Sequence, residues 1–369
     1  MIYSIMILTA NGRAPLLPAV VFGGTAMEQH EITQAGPLLD GQGNLREAGY
    51  ARRLLPVYDR NQIKGGAMRI KEWDYYLVMN GQFALALTIA DNSYMGLDSI
   101  SLLDFWENTQ MTKSPMRLLP MGSTGMPASS LEGDSASGGR GYSLLFRREE
   151  ERRLLYAHME NFDGRDALDA YIELTDEPEE SMVICTPFDK PGHFYFNQKI
   201  NCLRASGKVT VGEREYMLDP SDTFAVLDWG RGVWTYHNTW YWASASGLVD
   251  GVTFGFNLGY GFGNTSAATE NMLFYNGRAH KLSKVRFRIP GRRRRRKYME
   301  QWEFTSDDGR FEMRFDPIMD RSSSTGVGVI HSEQHQVFGR FTGLALLDDG
   351  TEVFVKDFMG FAEEVENKW

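Results

Sequence analysis

Tyr75-Tyr76-Leu77-Val78-Met79-Asn80-Gly81-Gln82-Phe83-Ala84-Leu85-Ala86-Leu87-Thr88-Ile89 reads as two β-segments joined at a turn. The apolar runs are too short for helices and rich in aromatic and branched side chains. Asn-Gly between such runs predicts a type I′ hairpin, because both central positions need positive φ. The same grammar returns further on. Lys208-Val209-Thr210-Val211, Glu215-Tyr216-Met217-Leu218, Gly251-Val252-Thr253-Phe254-Gly255-Phe256, residues 271–275 and residues 281–289 are short strand-like runs separated by Gly or Asp turns. Asn276-Gly277, Asp308-Gly309 and Asp349-Gly350 punctuate the C-terminal half. Evenly spaced short strands with such turns predict an all-β sandwich or barrel.

The chain has 369 residues, more than one usual domain, so two domains or one large double-layered structure is expected. The strand signals place a boundary near 188–200, giving an N-terminal β-domain over 27–195 and a C-terminal one over 196–369. Residues 1–26 read as a disordered or mis-started extension ahead of Met27; two prolines and the lack of a preceding basic cluster weigh against a secretion signal. Residues 121–142, rich in Gly and Ser, are expected to form a mobile loop.

A formal charge of −9 argues against nucleic acid as a partner, since phosphate binding needs a basic surface. Only Cys185 and Cys202 occur, neither in a CxxC pair. A disulfide between them stays open, with a reduced, cytoplasmic protein as the expectation. No apolar run has the length of a membrane span. The six cations at 292–297 read as an exposed hairpin loop, with contact to an anionic membrane surface the alternative. Gly259-Tyr260-Gly261-Phe262-Gly263 lacks both the spacing and the βα context of a phosphate loop. His331 and His335 have metal spacing only for a helix, and their flanks read as strand. Neither a metal nor a cofactor is expected.

The chemistry concentrates in Asp228-Trp229-Gly230-Arg231-Gly232-Val233-Trp234-Thr235-Tyr236-His237-Asn238-Thr239-Trp240-Tyr241-Trp242, continued by Asn257 and Glu270. Four tryptophans beside Asp, Arg and His suggest an aromatic-lined pocket with a few fixed polar groups. Asp228 and Arg231 could instead be an ion pair bracing a loop, and the aromatics could be plain core. Read as a site, Asp228 or Glu270 gives a proton, and His237 or Tyr236 activates water or takes a proton. Arg231 and Asn257 hold developing charge, while Trp234, Trp240 and Trp242 shape the pocket.

These blocks resemble one family. Lys71-Glu72-Trp73-Asp74-Tyr75-Tyr76, the 228–242 block, Asn257-Leu258-Gly259 with Thr265 and Glu270-Asn271, His280-Lys281-Leu282, Gln336-Val337-Phe338-Gly339 and Asn367-Lys368-Trp369 together look like DUF2804. More distantly the chain is similar to the carotenoid 1,2-hydratase (hydroxyneurosporene synthase) and AttH-like group. That resemblance implies two tandem lipocalin-like (calycin) antiparallel β-barrels with a ligand pocket. It also implies activities such as water addition to an alkene or ring closure, and lipid carriage. The polar residues of this site suit a partly polar ligand better than a bare polyene. Two functions are therefore expected. One is a cofactor-independent lyase, hydratase or isomerase acting on a hydrophobic or ring-containing small molecule in a β-barrel pocket, chiefly in the second barrel. The other is a non-catalytic carrier of a lipid or glycoside. Nothing in the sequence sets the oligomeric state.

Overall fold

The computed structural model describes residues 27–293, 295–327 and 330–368. The extension expected over 1–26 lies outside them. The described chain is all-β, with short 3-10 turns and no α-helix. No helix among these residues is long and apolar enough to cross a membrane.

Two large antiparallel sheets hold the chain. In the first, Met95–Asp104, Phe83–Asp91, Ile70–Met79, Phe224–Val233, Phe194–Val211, Leu168–Thr175, Arg153–Met159 and Tyr142–Arg148 lie side by side in that order. In the second, the order is Met272–Tyr275, Val252–Tyr260, His237–Val249, Glu352–Lys368, Ile330–Leu346, Phe311–Val327 and Trp302–Ser306, with Val285–Arg288 at the far edge. Each sheet curls until distant strands meet. In the first, Asp98 accepts hydrogen bonds from Ser137 Oγ (2.6 Å), Tyr142 OH (2.9 Å) and Arg117 Nε (3.0 Å), tying one flank to the other. In the second, the Phe287 ring stands edge-on to Tyr260 at 5.2 Å. The result is two tandem calycin-like barrels.

Strand alternation fills both interiors. Leu85, Leu87, Ile100, Leu155, Ile172, Phe196 and Trp229 meet inside the first. Phe254, Phe256, Trp302, Phe304, Phe311, Phe315 and Phe341 meet inside the second. Each such side chain contributes roughly 2 kcal/mol of apolar burial.

Three local expectations change. Asn80 and Gly81 are not in positive φ; instead Asn80 Oδ1 accepts from the backbone N–H of Gln82 (2.9 Å) and Phe83 (3.0 Å), so a side chain closes the turn. Asn276-Gly277 does take positive φ at both positions, 48° and 78°. The 121–142 stretch is not a free loop. Ser135–Gly139 pairs with Tyr142–Arg148, and the carbonyls of Pro127 and Ser130 accept from Arg231 Nη2 (2.8 Å) and Arg153 Nη1 (2.9 Å). Finally, the boundary at 195/196 falls inside the strand Phe194–Val211, and the change of sheet lies between Val233 and His237. Charged and polar residues interrupt that long strand, which hid its continuity.

The same strand docks the sheets together. A bulge follows Ile200, with Cys202 at φ 64°, and turns Asn201 outward. Its Nδ2 donates to Ser244 Oγ (2.8 Å) and to the Phe256 carbonyl (3.1 Å) of the second sheet. Cys185 and Cys202 are both free and buried.

Candidate site in the cleft between the barrels

Alternation along Phe224–Val233 decides which face each residue serves. Ala225, Leu227, Trp229 and Val233 enter the first barrel's core, whereas Val226 packs toward the second sheet. Asp228 shares a face with Val226, and Arg231 shares one with Trp229. Three residues apart in a strand means opposite faces, so these two do not form the ion pair that was the alternative reading. Arg231 is fully buried. Its Nη1 donates to Asp74 Oδ1 (3.0 Å) and to the Trp73 carbonyl (2.9 Å), and its guanidinium lies 4.2 Å from the Trp229 ring. It braces the first barrel and does not reach the cleft.

Register assembles the site from facing rungs. On the first sheet Asp228 lies between Tyr75 and Lys199. On the second, one rung crosses five positions: Gly259, Trp242, Glu363, Gln336 and Arg321. Lys199 Nζ bonds Asp228 Oδ1 at 2.9 Å and sits 4.1 Å over the Trp242 ring, joining the two rungs. Asn197 Nδ2 donates to the same Asp228 oxygen at 2.6 Å. Across the cleft, Glu363 accepts from Trp240 Nε1 (2.9 Å) and Gln336 Nε2 (3.2 Å), and Gln336 also donates to Tyr75 OH (3.2 Å).

Glu270 arrives from the segment after Val252–Tyr260. Its carbonyl accepts from Asn257 Nδ2 (2.8 Å), whose Oδ1 accepts from Trp242 Nε1 (2.7 Å). Asn257 is thus committed to holding Glu270 and Trp242 in place, rather than offered to developing charge. Burial pushes the Glu270 carboxyl up to about 6, with Asp228 adding to the effect and Lys199 and Lys281 opposing it. Burial likewise lifts Glu363 to about 7, against the Trp240 hydrogen bond and the charges of Lys199 and Arg321. Tyr195 is raised well above 10, first by burial and then by the charges of Glu270, Asp228 and Glu363. Lys281, pushed well down by burial, donates to Thr269 Oγ1 (2.8 Å) and to the Asn271 carbonyl (2.8 Å), bracing the Glu270 segment.

An aromatic wall closes one side. Trp234 meets Trp73 at 5.2 Å, Phe262 at 4.8 Å and Trp240 at 5.9 Å, all edge-on, while Trp73 stacks on Tyr195 at 6.2 Å. Gly230 makes room for this: a Cβ there would stand 1.9 Å from the Trp73 ring.

Of the residues singled out by sequence, Asp228, Glu270, Asn257, Trp234, Trp240 and Trp242 come together. Tyr236 and His237 do not. Tyr236 is exposed, and His237 is half-exposed with Nε2 3.1 Å from Glu366 on the outer rim. The first sheet supplies Tyr75, Lys199, Asn197 and Asp228, so the site belongs to both barrels rather than chiefly to the second. Lys199, Glu363, Tyr195, Trp73 and Gln336 were not foreseen. A local signal is visible for Glu363, a carboxylate directly after Phe361-Ala362. Among the described residues no three His, Cys, Asp or Glu side chains are grouped to hold a metal ion.

The model of the domain of unknown function DUF2804 matches residues 29–369. The chain belongs to the DUF2804 family. No curated protein matches it. Among solved structures, this DUF2804 protein is similar to an AttH-like protein of Nitrosomonas europaea, at 13% identity and TM-score 0.53, over 90% of this chain and 99% of that one. It is also similar to kievitone hydratase of Nectria haematococca, at 11% identity and TM-score 0.48, over 90% and 98%. Identities this low speak to the fold and not to the reaction.

Proposed function

We propose that the cleft between the two barrels performs proton-transfer chemistry, adding or removing water or isomerising a hydrophobic or ring-containing small molecule. One observation carries this reading. A carboxyl whose titration burial raises to about 6, Glu270, and a carboxylate salt-bridged to Lys199, Asp228, are brought to one aromatic-walled seam from different sheets. Environments that treat two carboxyls so differently suit an acid and a base.

In the hydration direction, Glu270 gives its proton to one carbon of the double bond. Water forms the new C–O bond at the other carbon and loses its proton to Asp228, whose Oδ1 is already held by Lys199 and Asn197. The two carboxyls exchange protonation states, and proton transfer through solvent resets them. Trp240, Trp242 and Trp73 hold the ring by aromatic contact.

Native mass spectrometry of freshly purified protein identifies the co-purified small molecule, and that molecule is then followed for turnover and deuterium uptake in D₂O. Glu270→Gln and Asp228→Asn should bind it and lose turnover by about a hundredfold or more. Tyr236→Phe and His237→Gln should stay within about threefold, since both lie outside the cleft. A bound molecule that is neither converted nor deuterated would replace the enzyme reading with the carrier reading.

A further inference from the structure

Two contacts fix how the sheets face each other across the seam. Lys199 lies over the Trp242 ring, Gln336 reaches Tyr75 OH, and these contacts stand two strands apart on both sheets. One strand further along, Thr88 pairs with Tyr75 on the first sheet and Arg321 pairs with Gln336 on the second. Equal strand spacing therefore brings Thr88 opposite Arg321. On the same flank Gln110 Nε2 donates to the Asp320 carbonyl at 3.1 Å.

Arg321 is the unsatisfied residue of this flank. Its side chain shares the seam face with Gln336, and its Nη1 is buried without a hydrogen-bond partner among the described residues. A buried N–H of this kind costs stability until an acceptor meets it. Neighbouring acceptors are engaged elsewhere. Glu363 receives Trp240 Nε1 at 2.9 Å and Gln336 Nε2 at 3.2 Å, and Asp320, on the opposite face, pairs with His335 at 2.7 Å.

The facing surface is short and hydroxylated. Thr88, Ser99 and Ser101 share the seam side of the first sheet, paired with Tyr75, Thr88 and Ala86. Ser99 Oγ lies 2.9 Å from Ser114 Oγ, and Thr112 Oγ1 donates to Ser101 Oγ at 2.8 Å, which carries the row to exposed positions. Short side chains leave room beside the guanidinium, and hydroxyls donate to the oxygens it binds. Tyr75 adds another O–H: burial pushes it up to about 12, and its proton reaches Gln336 Oε1 at a long 3.5 Å.

We propose that Arg321 and Tyr75 anchor a carboxylate group carried by the ring-containing ligand of the seam. A guanidinium presents a planar fork of N–H groups that matches a carboxylate. The surrounding charge agrees. Asp228 is held by Lys199, and burial lifts Glu363 to about 7, so below that point neither carboxyl cancels Arg321. The inference rests on the seam being the ligand site, and it narrows the ligand to a ring-bearing carboxylic acid.

Trans-cinnamate and its neutral amide, cinnamamide, serve as probes in calorimetric titrations of the full chain. Wild type should bind cinnamate about tenfold or more tighter than the amide, the usual worth of a hydrogen bond to a charged group. Arg321→Met should erase that margin, leave amide binding within about twofold, and melt no lower than wild type, because Nη1 has no partner to lose. Arg321→Lys keeps the charge without the fork and should retain part of the margin. Acetate, which lacks the ring, should bind about tenfold or more weaker than cinnamate. Equal affinity for cinnamate and the amide, absent cinnamate binding, a margin that survives Arg321→Met, or acetate bound as tightly as cinnamate would overturn the anchor. A melting temperature of Arg321→Met well below wild type would make the guanidinium a brace instead. Repeating the titrations on Glu270→Gln separates the two readings. A carboxylate-dependent margin in a chain without turnover supports the anchor even where proton transfer fails.

Discussion

The carboxyl group of Glu270 fills the space that a side chain at Gly259 would occupy: a Cβ there would come within 2.6 Å of its Cδ and Oε1. The acid is positioned by the absence of a neighbour's side chain as much as by hydrogen bonds to its backbone. Gly259→Ala should therefore push a flexible side-chain end aside, at a stability cost of about 1 kcal/mol. Turnover should fall by about a hundredfold, the usual effect of misplacing a reacting group by an ångström. Thermal melting alongside turnover of the identified ligand checks both.

Lys199 and Asp228 are a buried pair, with 4% and 12% of their side-chain surfaces exposed. Lys199→Met strands Asp228 and should destabilise the fold by about 3 kcal/mol. Adding Asp228→Asn removes the stranded charge and should recover part of the loss. Urea denaturation of the single and double variants checks the order.

Glu270 and Glu363 hold their protons up to about 6 and about 7, against 4.5 for an ordinary glutamate. Between pH 4.5 and about 7 the folded chain consequently binds more protons than the unfolded one. Their contribution is complete below pH 4.5 and declines as pH rises through about 6 and then about 7, by about 2 and 3 kcal/mol respectively. Stability measured at pH 5 and pH 8 should fall more steeply in wild type than in Glu270→Gln/Glu363→Gln.

In the proposed reaction the same proton sets the rate. With Glu270 as the proton donor, turnover should decline as pH rises past about 6. A pH–rate profile in which activity climbs across that point would remove Glu270 from the donor role.

Arg231 is a brace whose loss acts far from the cleft. Arg231→Met leaves Asp74 without its guanidinium and Pro127 without its donor, costing about 3 kcal/mol. Limited proteolysis should cut near residues 127–135 first, while the affinity of the cleft ligand changes less than about threefold.

What could be read in the chain follows from what is local. Tyr75–Ile89 and the runs after Lys208 announce strands because alternation and turn residues act over a few positions. The 228–270 region stood out because aromatic and charged residues crowd together there. The ion-pair alternative for Asp228 and Arg231 has the same root. Read as a loop, the spacing allowed a pair; read as the strand it is, the spacing forbids one. Tyr236 and His237 misled for another reason, since they sit where the chain leaves one sheet for the other and face solvent.

Local composition by itself determined an all-β chain, its turn-rich strands and the stretch where chemistry gathers. Only the tertiary structure decided that Lys199 meets Asp228, that Glu363 joins them from the last strand, and that the candidate residues gather between the two barrels. Pairing register and sheet-on-sheet packing connect residues more than a hundred positions apart. The burial that raises Glu270 and Glu363 exists only once those distant strands have packed against one another.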